Sequence, residues 1–350
     1  MKDLKYLIAY TIPASAFLAI FLQGTWSYST VIYAFVFIPI MEFILPKSSK
    51  NLNREERNVK LKSKLFDWLL YLNLPIIALL LVYYFQTLAN VALSGSELTG
   101  LTLSVGIVLG ACGINVAHEL GHRNNKREQL LAKILLLPEL YMHFFIEHNR
   151  GHHKNIATDL DPASAKYGEP LQAFWLRSVF GGYKGAWQLE AKRLERKKQA
   201  FWSRENEMLR FQIIQMAYLL GIALIWNWRI MGFAVLVGVV AFLLLETINY
   251  IEHYGLRRQK LASGRYEKVN VQHSWNSDHE LGRIVLYELT RHSDHHFKSN
   301  KKYQILDHHD ISPQLPLGYP TSMLLALMPP LWFALMNKQV NQYKARLAVS

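Results

Sequence analysis

The residues with the clearest chemical potential in this sequence are histidines that occur in groups. The first 117 residues contain no histidine, whereas the rest of the chain contains fourteen. Side chains three or four residues apart share one face of a helix, and neutral imidazole binds zinc, copper, iron and nickel. Nine positions are therefore candidate metal ligands: His118 and His122; His148, His152 and His153; His253; and His292, His295 and His296.

The number of candidate ligands indicates a centre with two metal ions. A closed zinc site takes four ligands and an octahedral ion takes six, so nine histidines exceed the need of one ion. Nearby carboxylates are expected to hold the imidazole rings in orientation by hydrogen bonds; the candidates are Glu119, Glu147, Asp161, Glu252 and Asp294. The other histidines are interpreted as interface or surface residues: His143, His273, His279, His308 and His309.

One of the groups also matches a protease motif. The segment His118-Glu-Leu-Gly-His122 has the H-E-x-x-H pattern of zinc proteases, in which Glu119 would be the general base. A protease site needs only one further ligand, so this alternative leaves the other groups unexplained. The single cysteine, Cys112, excludes a disulfide within the chain and a thiolate-based metal site. Zinc has no redox chemistry, whereas a membrane enzyme with two histidine-bound irons could activate O₂ and attack an unactivated C–H bond.

Helices that are apolar on every side are predicted to position these groups. Hydrophobic residues make up 51% of the chain, and they form runs that extend to about 20 residues with few charges, the length that crosses a bilayer. A soluble helix would show a polar stripe, which the strongest runs lack. No cleavage pattern follows the first run, which therefore differs from a signal peptide. The predicted spans lie near residues 4–22, 28–46, 66–88, 98–118, 211–228 and 231–251.

The distribution of basic residues predicts the orientation of these spans. The net charge is +13, and Lys and Arg concentrate in the loop 47–64 and the segment 123–210, as the positive-inside rule requires of cytoplasmic segments. No aromatic–basic module for nucleic acid is visible. We therefore predict one all-α integral membrane domain over residues 1–350, with six transmembrane helices and both termini cytoplasmic. Residues 119–210 and 252–350 would form a cytoplasmic helical cap that carries the histidine-rich diiron site.

Two apolar stretches are too interrupted to be predicted as spans. The stretch Leu130–Phe145 contains Lys133, Pro138 and Glu139, and it is interpreted as a helix that lies at the membrane interface. The stretch Tyr319–Met336 contains three prolines, which break a continuous helix, and it is interpreted as a short helix packed under the membrane domain.

Longer segments around the histidines resemble those of bacterial alkane 1-monooxygenases. The most specific of them is Asn249-Tyr-Ile-Glu-His-Tyr-Gly-Leu256, which separates this family from the related membrane fatty acid desaturases. Arg123 is a minor departure, because the family usually has lysine after the first histidine pair. The resemblance covers about residues 42–336, and its other segments are His118-Glu-Leu-Gly-His122-Arg, Glu147-His-Asn-Arg-Gly-His-His153, Asp161-Pro-Ala-Ser-Ala165, His273-Ser-Trp-Asn276, Leu289-Thr-Arg-His-Ser-Asp-His-His296 and Leu315-Pro-Leu-Gly-Tyr-Pro320.

The resemblance implies an activity and a set of partners. The nine histidines would bind two non-haem irons, and the enzyme would convert the terminal methyl group of n-alkanes to 1-alkanols with O₂. Electrons would come from rubredoxin, a separate chain reduced by an NADH-dependent reductase, because this chain lacks the cysteines of a fused rubredoxin. The enzyme would span the bacterial inner membrane, surrounded by lipid and without a nucleic-acid partner. Lysine-rich segments at 192–198 and 298–302 fit either the docking of an acidic carrier or the positive-inside rule alone.

Other functions remain open from the sequence. A fatty acid desaturase would introduce a double bond into an acyl chain, and a xylene-type methyl monooxygenase would oxidise alkyl-aromatic methyl groups. A metal transporter or sensor would bind metal without NADH-coupled O₂ consumption, and it would carry acidic residues deep in its spans. Glu42 and Glu246 are the main acidic residues of the predicted spans, and both lie toward cytoplasmic ends.

Overall fold

Helices make up the regular secondary structure of this protein. A computed structural model describes residues 2–349, and within this range extended residues form only isolated bridges and no strand. The predicted all-α fold is therefore confirmed for the described residues. The helices are, in chain order, α1 (Asp3–Leu22), α2 (Gly24–Ile44), α3 (Arg54–Lys62), α4 (Leu65–Asn90), α5 (Gly95–Gly121), α6 (Lys126–Leu135), α7 (Phe144–Glu147, continued by His148–His152 and His153–Asn155), α8 (Leu171–Arg196), α9 (Glu207–Ile225), α10 (Trp228–His253), α11 (Glu280–Val285), α12 (His292–Phe297), α13 (Tyr319–Ala326) and α14 (Pro329–Val349).

Six of these helices are long and apolar enough to cross a membrane, namely α1, α2, α4, α5, α9 and α10. The shortest, α9, has 19 residues, which at about 1.5 Å per residue matches a hydrocarbon core of about 30 Å. The prediction of six spanning helices is confirmed, and each helix lies within a few residues of its predicted range. Because α5 continues to Gly121 and α10 to His253, His118 and His253 stand in the last turns of spanning helices.

The central helix of the bundle is α5. In its most apolar stretch 89% of the residues are buried, against 17% in α9, which faces outward along most of its length. A glycine allows α10 to approach closely, because a Cβ on Gly106 would come within 2.5 Å of the Val240 side chain. Helices in membranes commonly associate through such small residues. This contact fixes the position of α5 along its axis relative to α10, and with it the position of the histidines at the end of α5.

The cap closes over the ends of α5 and α10, and α7 packs against α8 within it. The stretch Leu130–Phe145 is not the single interfacial helix expected from the sequence. Instead α6 ends at Leu135, and a series of turns leads to the start of α7 at Phe144. Pro138 lies in these turns and cannot donate the amide hydrogen bond of a continuous helix. The side chains of Glu139 and Tyr141 in the same turns are buried.

The second interrupted stretch, Tyr319–Met336, consists of two helices. The first, α13, ends at Ala326, and α14 begins at Pro329, a position where proline is tolerated because the first amides of a helix have no internal partner. Trp332 is fully buried, with its ring 5.6 Å from that of Tyr250 on α10. The expected packing under the membrane domain is therefore present, although the stretch is broken where its prolines lie.

Candidate metal centre

The nine candidate ligand histidines converge in two adjacent groups, although they come from four helices. Within each group, one nitrogen of every ring lies within 4.8 Å of the corresponding nitrogens of the others. The end of α5, together with α7 and α12, supplies the first group: His118, His122, His148, His153 and His295. The second group comes from α7, α10 and α12: His152, His253, His292 and His296.

The local winding of α7 decides which histidine enters which group. Residues His148–His152 form a π-helical turn, in which each backbone hydrogen bond spans five residues. His148 and His153, which are five residues apart, therefore lie on the same side of α7 and enter the first group, whereas His152 enters the second. His148 and His152 are neighbours, as expected from their spacing, with ring centroids 5.0 Å apart, but their ligand nitrogens belong to different groups.

The short helix α12 also contributes to both groups. His292 and His296, four residues apart, lie in the second group, and their ring centroids are 4.3 Å apart. His295 lies in the first group, and its ring centroid is 4.3 Å from that of His118. The helices α7 and α12 thus each contribute histidines to both groups, whereas α5 and α10 each contribute to one group.

The nitrogen–nitrogen distances fit metal binding better than direct hydrogen bonding. The Nε2 atom of His296 lies 3.3 Å from that of His152 and 2.8 Å from that of His292. One ring proton cannot satisfy several such contacts between neutral imidazoles, whereas nitrogens that share an ion at about 2.0–2.1 Å lie roughly 3 Å apart. In the first group, the Nε2 atoms of His118 and His295 are buried without a hydrogen-bond partner. Lone pairs directed at a metal would have this environment.

Burial keeps most of the candidate ligands neutral. It lowers the pKa of His122 to about 3. It also holds the pKa of His148 and that of His295 well below the ordinary value, with the neighbouring histidines adding to the effect. Neutral imidazole is the form that binds a metal. A set of buried, uncharged nitrogens therefore fits a transition metal such as iron.

His152 differs from the other ligands because a carboxylate holds its second nitrogen. Its Nδ1 atom lies 2.9 Å from Oδ2 of Asp161, and the Ser164 hydroxyl donates to the same oxygen at 2.5 Å. Burial alone would lower the pKa of His152, but the charge and hydrogen bond of Asp161, together with the charges of Glu147 and Glu246, outweigh burial and raise it. Asp161 thus has the position of a carboxylate that orients a ligand, with Nε2 of the ring left free to face the second group.

Replacing Asp161 with asparagine is expected to weaken metal binding by the second group without unfolding the chain. Asparagine keeps the shape of the side chain but loses the charge that favours a proton on Nδ1 of His152. Loss of such a partner typically lowers metal affinity about 10- to 100-fold. Metal titration of the purified variant would measure the change, with Asp159→Asn, an exposed carboxylate nearby, as the control. An unchanged affinity in Asp161→Asn would contradict the orienting role.

Glu252 approaches the second group from the side of the ligand nitrogens. Its Oε2 atom lies 3.1 Å from Nε2 of His292, and Tyr319 of α13 donates to Oε1 of the same carboxylate at 2.8 Å. Glu252 therefore lies close enough to the second group to be a candidate metal ligand beside the four histidines. The contact of Tyr319 was not anticipated, although this residue lies in one of the segments that carry the family resemblance.

Of the other three candidate carboxylates, Glu119 and Asp294 form ion pairs within the surrounding cap. Glu119 forms an ion pair with Arg123 at 2.7 Å, and Asp294 accepts a hydrogen bond from Lys301 at 2.5 Å. Glu147 lines a small polar cavity beside the first group. These contacts stabilise the helix ends that carry the ligands, whereas Asp161 and Glu252 contact ligand rings directly.

The histidines that were interpreted as interface or surface residues lie outside both groups. They are packed into the cap, where aromatic rings, hydroxyls and carboxylates surround them. Three of them are buried, namely His143, His273 and His279. The other two, His308 and His309, are partly buried.

Two adjoining apolar cavities lie between the interior of the bundle and the histidines, and together they form the proposed apolar passage. One apolar cavity lies between α1, α2, α5, α10 and α13, and Phe35 forms part of its wall. A second, smaller cavity touches His118 and His292. Gly110 and Ile248 line both cavities, so the two meet at these residues. The apolar lining of the two cavities is compatible with a chain that has no polar groups.

Known proteins resemble this chain over most of its length. A family model described as fatty acid desaturase matches residues 94–323. The chain is 38% identical over 324 residues to alkane 1-monooxygenase 2 of Pseudomonas aeruginosa, covering 92% of this chain and 86% of that protein. It is 38% identical over 308 residues to the alkane 1-monooxygenase of Acinetobacter baylyi, covering 88% and 75%. The xylene/toluene monooxygenase hydroxylase component of Pseudomonas putida is 26% identical, covering 97% and 89%.

Proposed function

The chain belongs to the alkane 1-monooxygenases within the fatty acid desaturase family, and from this premise we propose that it hydroxylates the terminal methyl group of n-alkanes to 1-alkanols. The observation that carries the proposal is the junction of an apolar cavity with the two histidine groups. The cavity accepts a chain that has no polar group to hydrogen-bond. Its inner end then brings one end of that chain beside the candidate ligands.

The nine histidines are the proposed ligands of two irons, with Glu252 as a further donor in the second group. Iron bound there would supply the redox chemistry by which an alkane, O₂, two electrons and two protons yield an alkanol and water. The chain itself contributes the orientation of the ligands, as Asp161 does for His152. Its apolar passage also favours the substrate over water in the space beside the metals.

Rubredoxin is the proposed electron donor, and the first group is the proposed point of electron entry. In this group His122 and His153 are partly exposed, whereas the ligands of the second group are all buried. The lysines at 298–302 offer less to an acidic carrier than the sequence suggests, because Lys301 and Lys302 are already paired with aspartates. A carrier would therefore dock closest to the metals at the face that exposes His122 and His153.

The proposed location is the inner membrane of a bacterium, with residues 1–350 as one domain and with both termini and the metal centre in the cytoplasm. The distribution of basic residues supports this orientation. Lys and Arg crowd the loop 47–64 and the segment 123–210, whereas the turns 23–27 and 86–97 contain none. Cytoplasmic segments of membrane proteins show this excess of positive charge.

Incubation of the purified, iron-loaded protein with octane, O₂, NADH, rubredoxin and its reductase is expected to yield 1-octanol. Gas chromatography would identify the product, and parallel reactions would contain p-xylene or a saturated acyl chain. Substituting ferredoxin for rubredoxin tests the donor separately. A double bond in the acyl chain without any alcohol would assign a desaturase, and preferred oxidation of p-xylene would assign a xylene-type enzyme. Metal binding without NADH-coupled O₂ consumption would instead indicate a transporter or sensor.

A further inference from the structure

The cap helix α8 presents an apolar face to the outside of the protein. Leu176 is 64% exposed and Phe180 is 70% exposed, and Tyr183 follows at 38%. Residues at this spacing lie on one side of a helix. A cap helix that faced only water would carry polar side chains there. This face of α8 therefore requires an apolar environment.

The opposite face of α8 is fixed against the part of the cap that carries ligands. Gly182 is on this side, next to Glu147, and a Cβ on the neighbouring Gly181 would come within 2.6 Å of Pro162. The helix α7, which supplies three candidate ligands, packs along α8. Rotation of α8 to bury its apolar face would separate it from α7, so the exposure is built into the fold.

The helix α8 lies at the level where spanning helices end. Near its start, the indole of Trp175 donates to the Thr247 hydroxyl of α10 at 3.1 Å. Near its other end, Glu190 accepts a hydrogen bond from the backbone amide of Glu207, the first residue of α9, at 2.6 Å. Two turns into α9, Ile213 is 67% exposed. The helix α8 thus crosses the ends of two spanning helices, next to surface that lipid would cover.

Basic side chains follow the apolar face toward the C-terminal end of α8 and directly beyond it. Lys184, Lys192, Lys197 and Lys198 are exposed, and no ion pair within the described part of the chain engages them. An apolar face bordered by lysines is typical of a helix that lies in the surface of a membrane containing anionic lipids. The positive charge of these lysines is therefore complementary to phosphate headgroups. Such headgroups would lie at the depth where α8 contacts α9 and α10.

We propose that α8 is a membrane-surface anchor, with Leu176 and Phe180 among the acyl chains and the lysines at anionic headgroups. The anchor holds α7 and its histidines at a constant depth, beside the spanning helices through which a lipid-dissolved substrate arrives. A soluble protein partner fits this face less well, because lipid headgroups at the same depth would compete with it for binding to α8. A second copy of the chain is distinguished from lipid by the experiment below.

The single cysteine of the chain makes the anchor accessible to site-directed spin labelling. Cys112 is fully buried, and Cys112→Ser provides a background without a labelling site. Labels are attached at Leu176→Cys and Phe180→Cys on the apolar face. The matched control is Gln188→Cys, an exposed polar position two turns further along α8. The full-length, iron-loaded protein is reconstituted in vesicles of phosphatidylethanolamine and phosphatidylglycerol.

Labels at 176 and 180 are expected to collide mainly with O₂, which dissolves among acyl chains, and rarely with a water-soluble nickel chelate. The ratio of the two collision rates should exceed that at position 188 several-fold. Equal ratios at all three positions would overturn the proposal. Protection from both reagents, with dipolar broadening between labels at 176, would place a second copy on this face and would also overturn it.

A second variant tests the role of the lysines. Replacing Lys184, Lys192, Lys197 and Lys198 with glutamine should move the label at 180 toward water in vesicles that contain phosphatidylglycerol. Omission of phosphatidylglycerol should produce the same shift in the chain with native lysines. A label position that is insensitive to both changes would overturn the assignment of anionic headgroups to this edge of α8.

Discussion

The iron content of a His253→Ala protein is expected to fall to about half of the wild-type value, and alkane hydroxylation to fall more than about 100-fold. His253 is fully buried at the end of α10, and its Nε2 atom lies 3.3 Å from that of His292. Alanine leaves three histidines in the second group and an apolar gap where the fourth nitrogen was. The first group has no ligand on α10, so it should keep its metal.

Metal analysis and product assays of the purified variant measure both effects. The matched control is His143→Ala, because His143 is a similarly buried histidine that lies outside both groups. This control should retain both irons, and it reveals any general loss of folding caused by removing a buried imidazole. Wild-type iron content in the His253→Ala protein would exclude His253 from the ligand set.

Substitution of Ile248 with tryptophan is expected to lower kcat/KM for octane about 10- to 100-fold while the iron content stays unchanged. Ile248 lines both cavities, at the point where the apolar passage meets the histidines. An indole there occupies space that the substrate needs. Displacing packed neighbours to recover that space costs about 1–3 kcal/mol. Because Ile248 belongs to neither histidine group, metal binding should persist.

The control for this substitution is Leu236→Trp, on the same helix but at a position that is 50% exposed. It adds the same side chain on the outside of the bundle and should leave octane kinetics unchanged. Ile248→Ala should act in the opposite direction and improve the oxidation of bulkier substrates such as p-xylene. If Ile248→Trp oxidises octane as fast as Leu236→Trp, the substrate reaches the metals by another route.

The candidate ligands could be recognised from the sequence because their spacing and their positions near helix ends are local properties. The division of the ligands into two groups could not be recognised in this way. Helical periodicity places His148 with His152, whereas the π turn of α7 places His148 with His153. Nothing in the residue types between them marks this turn. Likewise, the contact of Tyr319 with Glu252 joins residues that only the tertiary fold brings together.

The membrane bundle shows a similar division between local and tertiary information. Six spans could be predicted because each exceeds the apolar length that a bilayer requires. The conformation of the stretch Leu130–Phe145 could not be predicted, because it depends on contacts with other helices. Glu139 is fully buried there against Gly113 of α5, and neither of its carboxyl oxygens has a hydrogen-bond partner. Hydropathy assigns such a charged residue to a surface.

The helices α7 and α12 each supply both histidine groups, although His152 and His296 are 144 residues apart in the chain. An ion shared by such residues closes a long loop, much as a disulfide does, and its binding energy becomes folding energy. With metal bound in both groups, the centre would be a reversible cross-link that ties the two halves of the cap together. In a cell short of iron, the cap would open before the spanning bundle does. Proteases would thus cleave most readily those protein molecules that have lost their metal.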